Sequence, residues 1–235
     1  MLRLLIQKAG YLLVQLGAEA QKVPNLAGDR DIEWSWIASQ MPSGPGEAMD
    51  FGPGGSHLAL VAAQAGFNVT AVDLQPVKWF YLHPRLHFVQ GDILKLPLPK
   101  DHFDLVINCS TVEHVGLVGR YSVTEDCSDG DLEAMALLLE LLKPGGIMML
   151  TIPCGQDAVF LPLHRVYGEQ RLPHLLKDFI IEREEYWVKN NANQWVPCNR
   201  GVALSFRALS FQPSSMSEIP YKSAYALGCF RLRKH

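Results

Sequence analysis

Three acidic side chains, Asp50, Asp73 and Asp92, stand in or just after short apolar runs. A fourth such run leads into Cys109, Ser110, Thr111, Glu113 and His114. The first acid opens a glycine turn, AMDFGPGGSH at residues 48–57. There Gly52, Gly54 and Gly55 let backbone N–H groups approach a ligand with no Cβ in the way. Asp73 follows about twenty residues on, where a carboxylate can accept both hydroxyls of a ribose. Asp92, in Gly91-Asp92-Ile93, offers an acceptor for an adenine amino group. Taken alone, Asp73 reads equally well as a turn or helix cap, and the glycines as packing. A glycine turn, Asp73 and Asp92 in order at successive strand ends point instead to a nucleotide-like ligand.

Such residues need a scaffold that brings them to one edge. From residue 47 the chain alternates strand and helix: strand 47–51, helix 56–66, strand 68–73, an apolar piece at 86–89, strand 103–108, helix 131–142 and strand 146–152. Short β-branched strands alternating with helices predict a parallel sheet with helices on both faces. Ligands of such sheets bind beyond the carboxyl ends of the strands, where the acids stand. Lys143-Pro144-Gly145-Gly146 punctuates the last helix-to-strand step. Beyond residue 152 a helix near 168–178 precedes an extended run, FIIEREEYWVKNN, and the chain ends on the strand YALGCFRLRK. A hairpin-like pair closing the sheet accounts for both.

Upstream, GDRDIEWSWIASQM reads as a short helix capped by Asp29 or Asp31, with Trp34, Trp36 and Ile37 on its apolar side. The tryptophans read first as core, but the segment runs directly into the glycine strand and is placed to cover the site. Residues 2–16 form an amphipathic run too short to span a bilayer. Packing on the main domain or a partner subunit, as in a homodimer, and contact with a membrane surface both remain open for it. The expected division is an N-terminal helical cap, 1–46, and one αβ domain, 47–235.

The 235 residues carry a formal net charge of -3 and a pI near 6.2, which argues against nucleic acid as a partner. Five cysteines with no CxxC spacing suit a reducing, cytoplasmic setting, and argue against a disulfide framework or structural zinc.

The pieces AMDFGPGGS, AVDL, GDIL, FDLVINCSTVEHV and LLKPGGIMMLTIP, spread over roughly residues 45–155, resemble the class I S-adenosylmethionine-dependent methyltransferases, type 11-like, in order and spacing. The resemblance implies a Rossmann-like, doubly wound, mostly parallel seven-stranded sheet with an antiparallel terminal strand. It assigns Asp50, Gly52, Gly54 and Ser56 to the cofactor turn, Ser56 standing where the family often has a third glycine. Asp73 with Leu74 would hold the ribose, Asp92 and Ile93 the adenine, and Cys109 or Ser110 would lie beneath the methionine chain. The segments GDRDIEW, STVEHVGLVGRY, DGDLEAM and HRVYGEQRL are similar to those of a bacterial group of mostly uncharacterised methyltransferases linked to cell-surface sugar or glycolipid assembly.

Methyl transfer from a sulfonium is an in-line displacement, so positioning carries most of it. An oxygen acceptor gains from a base, whereas an amine need only be neutral and aligned. His114 beside Glu113 is the first expectation for that base and His164 the second. A histidine that only packs a loop is an equally good account of His114. Tyr167 and Arg165 are expected to orient the acceptor, and Arg120 and Tyr121 lie in an insertion on the substrate side. Trp187 and Trp195 read first as core, with stacking on a ring as the alternative. The expected reaction is O-methylation of a small molecule, sugar or glycolipid. A cofactor-binding scaffold or sensor and a protein methyltransferase are the alternatives. A nicotinamide dehydrogenase would want glycine where His57 stands. No metal is expected, because Ser110 replaces the first of two glutamates in the metal-binding pattern that Glu113 and His114 resemble.

Overall fold

The computed structural model describes residues 28–119, 121, 123–191, 194–208 and 225–235. The expectation for residues 2–16 therefore lies outside the described residues, as does that for Arg120.

Helix α1 (Asp29–Gln40) leads into β1 (Gly46–Phe51), α2 (Leu58–Gln64), β2 (Phe67–Asp73), β3 (Leu86–Gln90) and β4 (Phe103–Cys109). A 3₁₀ turn at Val112–His114 precedes α3 (Gly130–Leu141) and β5 (Leu142–Cys154). Then come the small hairpin β6 (Ala158–Phe160) and β7 (His164–Val166), α4 (Arg171–Leu176), β8 (Phe179–Lys189), β9 (Trp195–Cys198), α5 (Arg200–Ser205) and β10 (Ala226–Lys234). The main sheet has the order β3-β2-β1-β4-β5-β10-β8-β9. Strands β3, β2, β1, β4 and β5 run parallel to one another, whereas β10 is antiparallel to both β5 and β8. The sheet has eight strands where seven were expected, because β9 folds back on β8 and extends the hairpin edge.

Alternation along the strands builds two cores. Met49, Val106, Met148 and Leu150 face α3, α4 and α5 on one side. Ala48, Leu105, Ile107, Ile147 and Met149 face α1 and α2 on the other. Strands buried on both faces read as continuous apolar runs, which is why they were visible in the sequence. Trp36 and Ile37 are core residues of the second cluster, as is Trp195, with Trp187 packed against it. Gly28 rather than Asp29 or Asp31 is the N-cap of α1, and the Asp31 carboxylate accepts from the Gly28 N–H at 3.1 Å. The KPGG segment lies within β5: Leu142 pairs with Phe103 and Ile147 with Leu105, so residues 143–146 form a bulge opposite Asp104.

Candidate active site

A cavity of about 1110 Å³ opens at the carboxyl ends of β1, β2, β3 and β4. Gly52, Gly54, Ser56, Asp73, Leu74, Asp92, Ile93, Cys109, Ser110, His114 and Tyr121 all lie on its wall. Gly52 has φ +66 and Gly54 φ +49, both in the left-handed region where a side chain is strained. A Cβ on Gly52 would also fall 2.2 Å from Thr111 Cγ2, whereas one on Gly54 would meet nothing within 4 Å. The turn therefore needs glycine at 52 for the fold and keeps open space beside 54. The Asp73 carboxylate accepts from the Gly54 N–H at 3.1 Å and the Gln75 N–H at 2.8 Å, which holds it at the turn.

Asp50 lies under the turn, 1% exposed, and neither of its oxygens has a partner at hydrogen-bond geometry among the described residues. Burial pushes its carboxyl up to about 7, the Ala59 N–H opposes the rise, and the charge of Asp73 adds to it. A buried acid left in this state marks a place where a ligand or water donor is due.

Helix α1 closes the opposite wall with Arg30 and Trp34. Behind Arg30, the fully buried Glu33 pairs with its guanidinium and accepts from the hydroxyls of Ser110 and Thr151, the latter at 2.9 Å. Ser110 sits at φ +47, an uncommon backbone for a non-glycine residue, and its bond to Glu33 helps to hold it there. Burial would lower the Arg30 pKa, but its neighbours, Glu33 foremost and Glu113 with it, together outweigh that and keep the guanidinium charged. Burial, with Glu33 adding to it, pushes the Cys109 thiol up, so this sulfur stays protonated and unreactive.

His114 closes the floor near the loop that follows β4. Its Nδ1 lies 2.6 Å from the Leu163 carbonyl, its Nε2 lies 3.6 Å from Glu113 Oε1, and its ring meets Tyr121 edge-on. The loop itself crosses the cavity: Cys127 N–H bonds the Gly116 carbonyl at its base, and Gln75 Nε2 bonds the Tyr121 carbonyl on the far wall at 3.0 Å. Tyr121, Glu125 and Asp126 line the cavity from this strap.

Residues 97–189 match a family described as a Caenorhabditis protein of unknown function, DUF268. A demethylmenaquinone methyltransferase of Lysinibacillus sphaericus is 26% identical over 149 residues, 62% of this chain and 55% of that one. The chain thus spans about half the length of the curated relative it matches. Among solved structures, a Burkholderia thailandensis 1,6-didemethyltoxoflavin N1-methyltransferase with bound S-adenosylhomocysteine superposes with TM-score 0.55 at 16% identity, over 97% of this chain and 89% of that one. A Mesorhizobium loti S-adenosylmethionine-dependent methyltransferase gives 0.53 at 18%, over 86% and 97%. A [4+2]-cyclase gives 0.61 at 19%, over 91% and 84%. The fold is that of the class I S-adenosylmethionine-dependent methyltransferases.

Within that methyltransferase fold, four of the residues expected at the acceptor lie elsewhere or only behind it. Tyr167 is fully buried, its hydroxyl bonded to Asp131 Oδ2 at 3.1 Å, and burial with that neighbouring acid pushes its phenol well above the usual value. Arg165 is 1% exposed and donates to the carbonyls of Val115 at 2.6 Å and Cys127 at 2.9 Å, so it ties the two ends of the strap and does not meet an acceptor. His164 packs between Phe160 and Tyr225, away from the cavity wall, because β7 turns it inward. Glu113 is 2% exposed and lies behind the cavity wall, its Oε1 3.6 Å from His114 Nε2. Arg30 and Glu33 were missed. Both lie in the segment GDRDIEW, but Glu33 meets Ser110 and Thr151 from 77 and 118 residues away, a distance no local pattern reports. Among the described residues no group of three or more His, Cys, Asp or Glu side chains could hold a metal ion, and no helix is long and apolar enough to cross a membrane.

Proposed function

We propose that the chain transfers a methyl group from S-adenosylmethionine to an oxygen of a small molecule, sugar or glycolipid. The observation that carries the reading is the wall of one cavity, on which the glycine turn, Asp73, Asp92 and His114 stand together. The residues fit the cofactor: a 1110 Å³ space exceeds most small-ligand pockets, and the cradle beside Gly54 is open. When bound, S-adenosylmethionine supplies an electrophilic methyl on a sulfonium.

The chain's own residues do the rest. Asp73 would hold the ribose hydroxyls, Asp92 and Ile93 the adenine, and the turn at Gly52 and Gly54 the methionine portion, with Asp50, Ser56, Leu74, Cys109 and Ser110 around it. A carbonyl only accepts, so the contact with Leu163 puts the proton of neutral His114 on Nδ1 and leaves the lone pair on Nε2. Nε2 is then the base that takes the acceptor's proton, and the Glu113 carboxylate 3.6 Å away stabilises the imidazolium that forms. The strap with Tyr121 excludes water and packs the acceptor against that ring.

Calorimetric titration with S-adenosylmethionine and its demethylated product, beside an Asp73→Ala variant, tests the cofactor part. Micromolar binding that is lost in the variant is expected; a well-folded chain that binds neither ligand overturns the reading. Because one fold hosts several reactions, as the cyclase among the neighbours illustrates, binding must be followed by a radiolabel transfer assay on hydroxylated acceptors.

A further inference from the structure

Between Asp73 and Asp92 the chain contains no acidic residue, and it carries Lys78 and Arg85. Over residues 74–82, which form neither helix nor strand, burial alternates strictly. Gln75, Val77, Trp79 and Tyr81 turn inward; Leu74, Pro76, Lys78, Phe80 and Leu82 turn outward. The inward residues fasten the segment. Trp79 stacks on Tyr81 at 5.4 Å and meets the Phe88 edge at 5.7 Å, and the Tyr81 hydroxyl donates to the Ser56 carbonyl at 2.9 Å. The outward residues are thereby held away from the body, with Phe80 105% and Leu82 99% exposed. Large apolar side chains held fully in water by an anchored backbone call for an apolar contact.

We propose that the outward face of residues 74–82 docks on an anionic lipid bilayer, with Phe80 and Leu82 entering the interface and Lys78 facing the headgroups, while Arg85 beside the face donates to the Gly66 carbonyl at 3.1 Å. Two side-chain tips are far short of the roughly 800 Å² per partner of a stable protein interface. A bilayer needs no such area: apolar tips plus cations near an anionic surface suffice for reversible binding. Leu74, Pro76 and Lys78 of the same face also line the cavity, so docking brings the cavity mouth to the lipid. An acceptor with an apolar tail would then enter without crossing water. This last step rests on the proposed methyl transfer; the docking itself does not.

The test is co-sedimentation of the full chain with phosphatidylcholine vesicles, with and without about one-third phosphatidylglycerol. Binding to the anionic vesicles is expected, weakened by salt and by omission of the anionic lipid. Phe80→Ser combined with Leu82→Ser removes two exposed side chains and leaves the fold and the cofactor titration unchanged; its vesicle affinity falls at least about tenfold. Ile180→Ser combined with Ile181→Ser, at half-exposed apolar positions of β8, retains binding. No binding to anionic vesicles by the wild-type chain overturns the inference. Equal binding by the Phe80/Leu82 variant assigns lipid contact to another surface and also overturns it. A concentration-dependent dimer that the variant loses assigns the face to a second copy, with the same consequence. Failure of cofactor titration with vesicle binding intact would remove the proposed reaction and leave the docking face standing.

Discussion

In neutral His114 the proton lies on Nδ1 against the Leu163 carbonyl, so Nε2 is the ring nitrogen proposed as the base. His114→Gln removes that nitrogen's basicity and keeps a polar side chain of similar reach. With an oxygen acceptor the turnover number is expected to fall by about 10²–10⁴, with cofactor affinity unchanged. An amine acceptor would lose less than about tenfold, because it needs alignment more than a base. Asp50 gives a second expectation at this scale. Its carboxyl moves from 3.8 to about 7 on folding, so the native state keeps a proton that the unfolded chain releases. Its contribution to stability is present below about pH 4 and is lost as pH rises through about 7, a change of about 4 kcal/mol for the shift from 3.8 to about 7. Asp50→Asn should remove that slope in thermal melts between pH 5 and 8, melt higher at pH 8, and bind the cofactor more weakly. Among single residues, Gly52 and Asp73 were legible because backbone strain and strand-end placement restrict what fits there. Glu33 was not, since its role exists only once α1 lies across β4 and β5.

At the scale of elements, the described residues of the strap between Glu113 and Ser128 depend on one buried centre. Asp131 is fully buried and meets the Tyr167 hydroxyl, Arg171 and, at 3.6 Å, Arg165. Arg165→Met leaves the carbonyls of Glu113, Val115, Cys127 and Ser128 without its guanidinium and Asp131 less well compensated. Breaking a buried pair from one side costs about 3–5 kcal/mol, so the urea midpoint should fall accordingly. In the protein that remains folded, the acceptor's KM should rise more than cofactor affinity falls, because the proposed acceptor packs against the strap. A midpoint within experimental scatter of wild type would show that the strap does not rest on Arg165. The alternating strands and the terminal hairpin were readable from apolar runs and punctuation. The bulge in β5 was read as a plain stop, since glycine and proline mark a break without saying which side of the strand start it lies on. Arg165 and Tyr167 were placed at the acceptor because they follow β5 closely; the small β6–β7 hairpin carries them behind the strap instead.

For the molecule as a whole, the cavity takes its walls from four strand ends, from α1 and from the strap, which together touch both cores. The strand ends were legible in the sequence because motif order reports topology; the covering by α1 and the strap was only partly so, because it depends on packing across the sheet. A ligand in such a place binds the native state and has nothing equivalent to bind in the unfolded one. At a concentration 100-fold above its dissociation constant it should add about 2.7 kcal/mol of stability. In a chain of this size each kcal/mol moves the midpoint by about 2–4 °C, so S-adenosylmethionine should raise the melting temperature by roughly 5–10 °C. Because the ligand would touch every wall, the shift should move one cooperative transition without splitting it. Asp73→Ala should abolish the shift and His114→Gln should retain it in full. A ligand-induced second transition would mean that the cavity binds through one wall alone, and the joint site built from β1 to β4 and α1 would have to be given up.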